Sequence, residues 1–145
     1  MPSSQETGII NPREISAIIG TLPIKGWSDD VFIAFRQLGQ SINDSQGASG
    51  EAGIILTHDT RFEVDINLLQ TSNDNFLLTA LHQATLKSGI TYPFQFDDAS
   101  GTTVAAGGTA VFRKWPDWSY NKNSVLTRTW TLLVLHLEMI LGGNA

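Results

Sequence analysis

Between residues 62 and 89 the chain reads "FEVDINLLQTSNDNFLLTALHQATLKSG", and its hydrophobic period changes once within that stretch. Phe62, Val64, Ile66 and Leu68 alternate with Glu63, Asp65 and Asn67. A period of two sends neighbouring side chains to opposite faces of a strand. One face is then apolar and the other polar, as in an antiparallel sheet with one wet side. Beyond the polar junction at residues 71–74, Phe76, Leu77, Ala80, Leu81 and Ala84 recur at helical spacing. Ser72 or Asn73 supplies the helix cap, Asp74 suits the positive end of the helix, and Gly89 is a natural stop. A helix that follows a one-sided strand so abruptly must lie back on its sheet. The stretch therefore predicts an antiparallel sheet with one helix packed on it by that apolar stripe.

The rest of the chain reads as strands and turns. Residues 13–20 ("REISAIIG") alternate Ile15, Ala17 and Ile19 with Glu14, Ser16 and Ile18. Residues 31–38 ("VFIAFRQL") are β-branched and aromatic, which suits a second strand. Residues 54–56 are extended, and 57–61 ("THDTR") form a hairpin turn. Tyr92, Phe94 and Phe96 alternate in a strand whose Pro93 suits an edge or an early position. Residues 98–101 and 116–123 are turns, and 102–115 are extended with a bulge or kink at Gly107 and Gly108. Residues 125–139 make the last and longest strand, apolar on both faces in its second half and so placed centrally. There is no internal repeat. The sum is one mainly-β (α+β) domain over residues 1–145, an antiparallel β-barrel or sandwich with one flanking α-helix. Residues 1–11 form an N-terminal arm, 39–53 a long flexible loop and 141–145 a C-terminal arm. Loops of that length are either functional or disordered.

Composition narrows the chemistry. The chain carries 14 Asp and Glu against 9 Lys and Arg, a formal net charge of −5, which opposes an electrostatic grip on nucleic acid. It has no cysteine, so disulfides, zinc–thiolate sites and thiol catalysis are excluded. No apolar run is long enough to span a bilayer as a helix, and "MPSSQETGIINP" lacks the features of a signal peptide. The expectation is a protein made and kept in the cytosol.

Catalytic motifs are sparse. His58 falls in a turn, His82 at the border of the helix stripe, and His136 in the last strand near Glu138. Two ligands do not make a metal site, and none of the histidines belongs to a His-x-x-x-His pair. The glycine-rich residues 47–53 lack the Gly-Lys-Ser/Thr ending and following helix of a phosphate loop. Asp29, Asp30, Asp97 and Asp98 read as turn residues. "FRKWPDWSY" (residues 112–120) concentrates Trp115, Trp118 and Tyr120 beside Arg113 and Lys114. It reads either as a stacking platform for bases or sugars or as a clamped turn packed on a neighbour or a subunit interface. Neither metal nor cofactor is expected.

Taken in order, these segments resemble tail tube proteins of long-tailed bacteriophages, contractile-tailed ones foremost. The match lies in "VDINLLQTSNDNFLLTAL", with its Leu-x-Gln-Thr-Ser strand end and Asn-containing cap; in "WPDWSYNKNSVLTRTWTLLVLHLEMILGG", with its Pro-Asp turn, Thr-Arg-x-Trp strand and terminal Gly-Gly; and in "NPREISAIIGTLPIKGWSDDVFIAF" as the first hairpin. The apolar run "LLVLHL" is a departure from the family's more polar pattern. The resemblance implies no enzymatic activity and a fold shared with type VI secretion tubes and phage-like bacteriocins. It implies hexameric rings stacked into a hollow tube through which DNA passes on infection without specific binding. The implied partners are other copies of the chain, a sheath if the tail contracts, a baseplate or initiator, a tape-measure protein and a tail terminator. The implied location is the virion tail, after synthesis in the host cytoplasm, with no membrane contact. On this reading Glu63, Asp65 and Asn67 face the lumen, where acidity keeps DNA from sticking. Asp44, Gly47, Ser49, Glu51, Trp115 and Trp118 contact neighbouring subunits or rings. A bacteriocin or secretion tube, a ligand-binding β-sandwich using Trp115, Trp118 and Tyr120, and an enzyme built on His136 and Glu138 are the alternatives.

Overall fold

The computed structural model describes residues 8, 10–24 and 32–143. Most of the expected N-terminal arm, Asp29, Asp30, Val31 and the last two residues of the C-terminal arm lie outside the described residues. A short 3-10 turn (Pro12–Glu14) leads into β1 (Ile15–Ile19) and β2 (Leu22–Pro23). Then come β3 (Ile33–Gln37), β4 (Ile42–Gln46), β5 (Ala52–Leu56), β6 (Phe62–Leu69) and α1 (Asp74–Ser88). The chain closes with β7 (Tyr92–Asp98), β8 (Val104–Lys114), β9 (Thr127–Val134) and β10 (Leu137–Ile140).

One antiparallel sheet runs in the order β2-β1-β7-β8-β9-β6-β3, and β10 pairs with β8. The sheet curls over on itself. The Phe35 ring of β3 packs 5.1 Å from that of Phe96 and 6.1 Å from that of Phe94, although β8, β9 and β6 separate β3 from β7 in the sheet. Among the described residues no strand pairing joins the two ends, so the fold is an open sandwich and not a closed barrel.

The alternation in residues 62–68 has its structural counterpart. Val64, Ile66 and Leu68 are fully buried, and they meet Trp130, Leu132, Phe94 and Leu78 in the core. Each such side chain contributes about 1.5–3 kcal/mol when taken from water.

Glycine shapes the middle of β8. The β7–β8 register shifts between Tyr92 and Phe94, opposite Gly107 and Ala110, which is the irregularity expected at Gly107 and Gly108. A Cβ at Gly107 would run into Val134 and come within 3.1 Å of the His136 carbonyl. The last strand passes close at that point and breaks at Leu135 and His136. Residues 125–139 therefore form two strands, β9 beside β6 and β10 beside β8.

The helix presents a different face from the expected one. Asn75, Leu78 and His82 point inward, while Phe76 is 76% exposed and Ala80 is exposed. Polar residues hold these inner positions because partners wait for them. The Asn75 side-chain amide donates to the carbonyls of Leu69 (2.9 Å) and Ser72 (3.1 Å), and its Oδ1 accepts from the Trp130 indole N–H at 3.0 Å. Asn73 is the N-cap but makes no side-chain capping bond; Ser72, one residue earlier, accepts from the Asp74 amide at 3.1 Å through its Oγ. Gly89 ends the helix in the left-handed region (φ 71°), its amide donating to the Thr85 carbonyl at 2.8 Å.

Candidate assembly surfaces

Glu63, Asp65 and Asn67 stand together on the polar face of β6, opposite the core. Neighbouring strands supply their partners. Arg36 of β3 lies across from Glu63 in register and bonds both Glu63 (3.0 Å) and Asp65 (2.6 Å). Arg113 of β8 reaches the other Glu63 oxygen at 2.7 Å. From β9, Thr131 donates to Asp65 at 3.1 Å and Thr129 to Asn67 at 2.6 Å. The hydrogen bond from Arg36 holds the Asp65 carboxyl below its ordinary pKa of 3.8 against the opposing effect of burial. Lys114, across from Thr131 in register, adds its charge near Asp65, so two carboxylates share this face with two guanidinium groups and an ammonium, and its acidity is more than offset.

The segment 39–53 contains more structure than the flexible loop expected from its composition. Asp44 lies in β4, which pairs in register with β5 from Ile42↔Leu56 to Gln46↔Ala52. Gly47, Ser49 and Glu51 make the tip, where the Gly47 amide donates to the Glu51 carbonyl at 2.7 Å and Gly50 takes a φ of 88°. A left-handed residue in a tight connection favours glycine. The hairpin forms its own two-stranded sheet and contributes nothing to the core.

Trp115 and Trp118 are both exposed, and only Trp115 reaches back to the core aromatics. Trp115 stands edge-on to His82 (4.4 Å) and tilted to Trp130 (6.2 Å). Trp118 is 68% exposed and meets the Tyr120 ring at 6.2 Å. Gln70, at the end of β6, fastens the turn by donating to the Ser119 carbonyl at 2.8 Å. Together with Arg128 and Thr79 these aromatics line an open groove of about 320 Å³. His82 is buried beneath it, and desolvation pushes its pKa below the ordinary 6.5.

Elsewhere, the catalytic candidates meet no further titratable group among the described residues of the groove they share. His136 and Glu138 border an open groove of about 510 Å³ whose other residues are Pro93, Phe94, Gln95, Ala106, Gly107 and Gly108. His136 Nδ1 lies 3.2 Å from the Thr60 hydroxyl. Among the described residues no three His, Asp or Glu side chains are placed to hold a metal ion, and no helix is long and apolar enough to cross a membrane.

No protein-family model matches the chain, and no curated protein sequence matches it. Solved structures do. A chain of the PVC sheath–tube complex of an extracellular contractile injection system, in the extended state, superposes with a TM-score of 0.61 over 91% of both chains, at 11% identity. The tube-terminating cap of the anti-feeding prophage matches at 0.57 over 93% of both chains, at 8% identity. The PVC sheath/tube terminator matches at 0.57 over 95% of this chain and 100% of its own, at 13% identity. The chain has the fold of contractile-injection tube and tube-cap proteins. At these identities the likeness is one of backbone fold and not of shared side chains.

Within that fold, Asn75, Arg36 and Arg128 are the residues that sequence reasoning passed over. Asn75 was hidden because a polar residue at a helix start reads as a cap. Arg36 had a usable signal, since one strand carries an arginine near its end and another alternates two carboxylates. Arg128 lay within the Thr-Arg-x-Trp motif but carried no sign of its inward position.

Proposed function

We propose that this chain is a structural, non-enzymatic subunit of a tail tube. Copies close into hexameric rings, and the rings stack into a hollow conduit for DNA ejection. The observation that carries the reading is the fold likeness to the sheath–tube complex over nearly the full length of both chains. The sorted surfaces add support. β6 offers one face to the core and one polar, ion-paired face suited to a channel wall. With Glu63 and Asp65 ion-paired and Lys114 beside them, such a wall has no bare acidity to repel phosphate. The exposed hairpin and the aromatic turn are the contacts between subunits or rings. A surrounding sheath and a terminator are the natural partners, with a baseplate initiator and a tape-measure protein completing the tail. No cofactor is needed. The device is a phage tail or a related injection particle, made in the cytoplasm of its host.

A second reading has its own support, because two of the matched structures are tube-ending proteins. A terminator would form a ring and stop, whereas a tube subunit stacks without limit, an open heterologous assembly. Electron microscopy of the purified protein over a concentration series separates them. Long tubes of uniform bore support the tube subunit, single rings support the cap, and monomers that also fail to join tube-deficient tails overturn both.

A further inference from the structure

Two surfaces of this molecule are incomplete in complementary ways. Every residue from 42 to 56 is exposed, and an isolated two-stranded hairpin is marginal in water without a surface to cover it. Residues directly opposite in an antiparallel pair share a face. The register therefore puts Ile42, Leu56 and Ile54 on one face around Asp44. Ile54 is 76% and Leu56 61% exposed. No Lys or Arg occurs between residues 37 and 60, so the hairpin is apolar and purely acidic.

The groove under the aromatic turn has the opposite character. Trp118 and Tyr120 rim it, and Arg128 and Trp130 line it. Arg128 and Trp130 are two apart in β9 and so project to the same side. The Arg128 Nε is buried with no hydrogen-bond partner. A guanidinium N–H buried without a partner is costly, and the half-buried remainder of the side chain is where a carboxylate can reach the group. Lys122 lies in the same turn, while Lys114 and Asp117 line a separate cleft with Thr127, Thr129 and Thr131.

We propose that the hairpin of one copy docks into the aromatic groove of a second copy. Ile42, Ile54 and Leu56 pack against Trp118 and Tyr120, and the Asp44 carboxylate pairs with the Arg128 guanidinium. The occupant is another copy because this chain itself supplies the matching shape of charge: a carboxylate framed by aliphatics, for a guanidinium framed by aromatics. Donor and acceptor surfaces lie on different parts of the molecule, so the contact is heterologous and propagates from copy to copy. The proposal rests on the self-assembly reading above and names its two faces.

The absence of cysteine makes the test clean. A Gln46→Cys protein is mixed with a Tyr120→Cys protein and mildly oxidised. Gln46 shares the face of Asp44, so the mixed disulfide should exceed either homodimer about tenfold, and adding Asp44→Lys should reduce it about tenfold, a change equivalent to roughly 1.4 kcal/mol. Asp44 is exposed on a hairpin outside the core, so that substitution leaves folding intact. Arg128→Gln on the groove partner should reduce the yield likewise. Equal yields of mixed and like pairs, or indifference to Asp44→Lys, overturn the docking. Tubes without mixed disulfides would leave the tube standing and refute this contact. Mixed disulfides that depend on Asp44, in a protein that never forms tubes or rings, would uphold the contact and refute the tube.

Discussion

Asn75 joins the three parts of the strand-to-helix switch: the end of β6, the start of α1 and the core indole of Trp130. Removing its side chain leaves a buried indole N–H and two carbonyls short of partners. Asn75→Ala should therefore lower stability by about 2–3 kcal/mol, read from urea denaturation. His82 gives a pH-dependent counterpart. Its folded pKa lies below the ordinary 6.5 because of desolvation, so the unfolded chain takes up the proton first as pH falls. His82 thus permits full stability above that ordinary value and withdraws it as pH falls toward its lower folded value. The denaturation midpoint should drop between pH 7.5 and 5, and the drop should be smaller in His82→Leu. At this scale the sequence was only half legible. The helical period was plain, but its inward direction was not, because Asn75 and His82 are held inside by Phe112 of β8, Trp115 of the turn after it and Trp130 of β9, all distant in sequence.

Elements were easier to read where one side chain pattern decided them. β6 and the Gly89 stop follow directly from alternation and from glycine's freedom at positive φ. The hairpin was missed because Gly, Ser, Asn and Gln carry little hydrophobic signal, and its stability is expected from a surface outside the chain. Replacing residues 42–56 with a short turn should leave the thermal midpoint within a few degrees, since none of them enters the core. It should also abolish assembly in sedimentation runs. The break between β9 and β10 depends on the missing side chain at Gly107, which no periodicity reports. Gly107→Ala should cost about 1–3 kcal/mol through overpacking against Val134 and the His136 carbonyl, measurable by chemical denaturation. The ion pairs across β3, β6 and β8 are half exposed at their arginines, so Arg36→Gln should cost less than about 1 kcal/mol, and less still in high salt.

The whole molecule is a curled open sheet with a helix on one side and an unpaired hairpin outside it. Its acidic total charge hides a local arrangement that composition could not reveal: carboxylates neutralised on the β6 face, bare ones on the hairpin, and a half-buried arginine under the aromatic turn. Such a molecule is finished as a fold and unfinished as a surface. The measurement that tests the central claim most directly is cryo-electron microscopy of the purified protein at increasing concentration. The account predicts stacked rings of uniform bore, with Glu63, Asp65 and Asn67 on the channel wall and the hairpin seated on a neighbouring copy. Monodisperse single chains at the highest concentration, or tubes that carry those three residues on their outer surface, would contradict it.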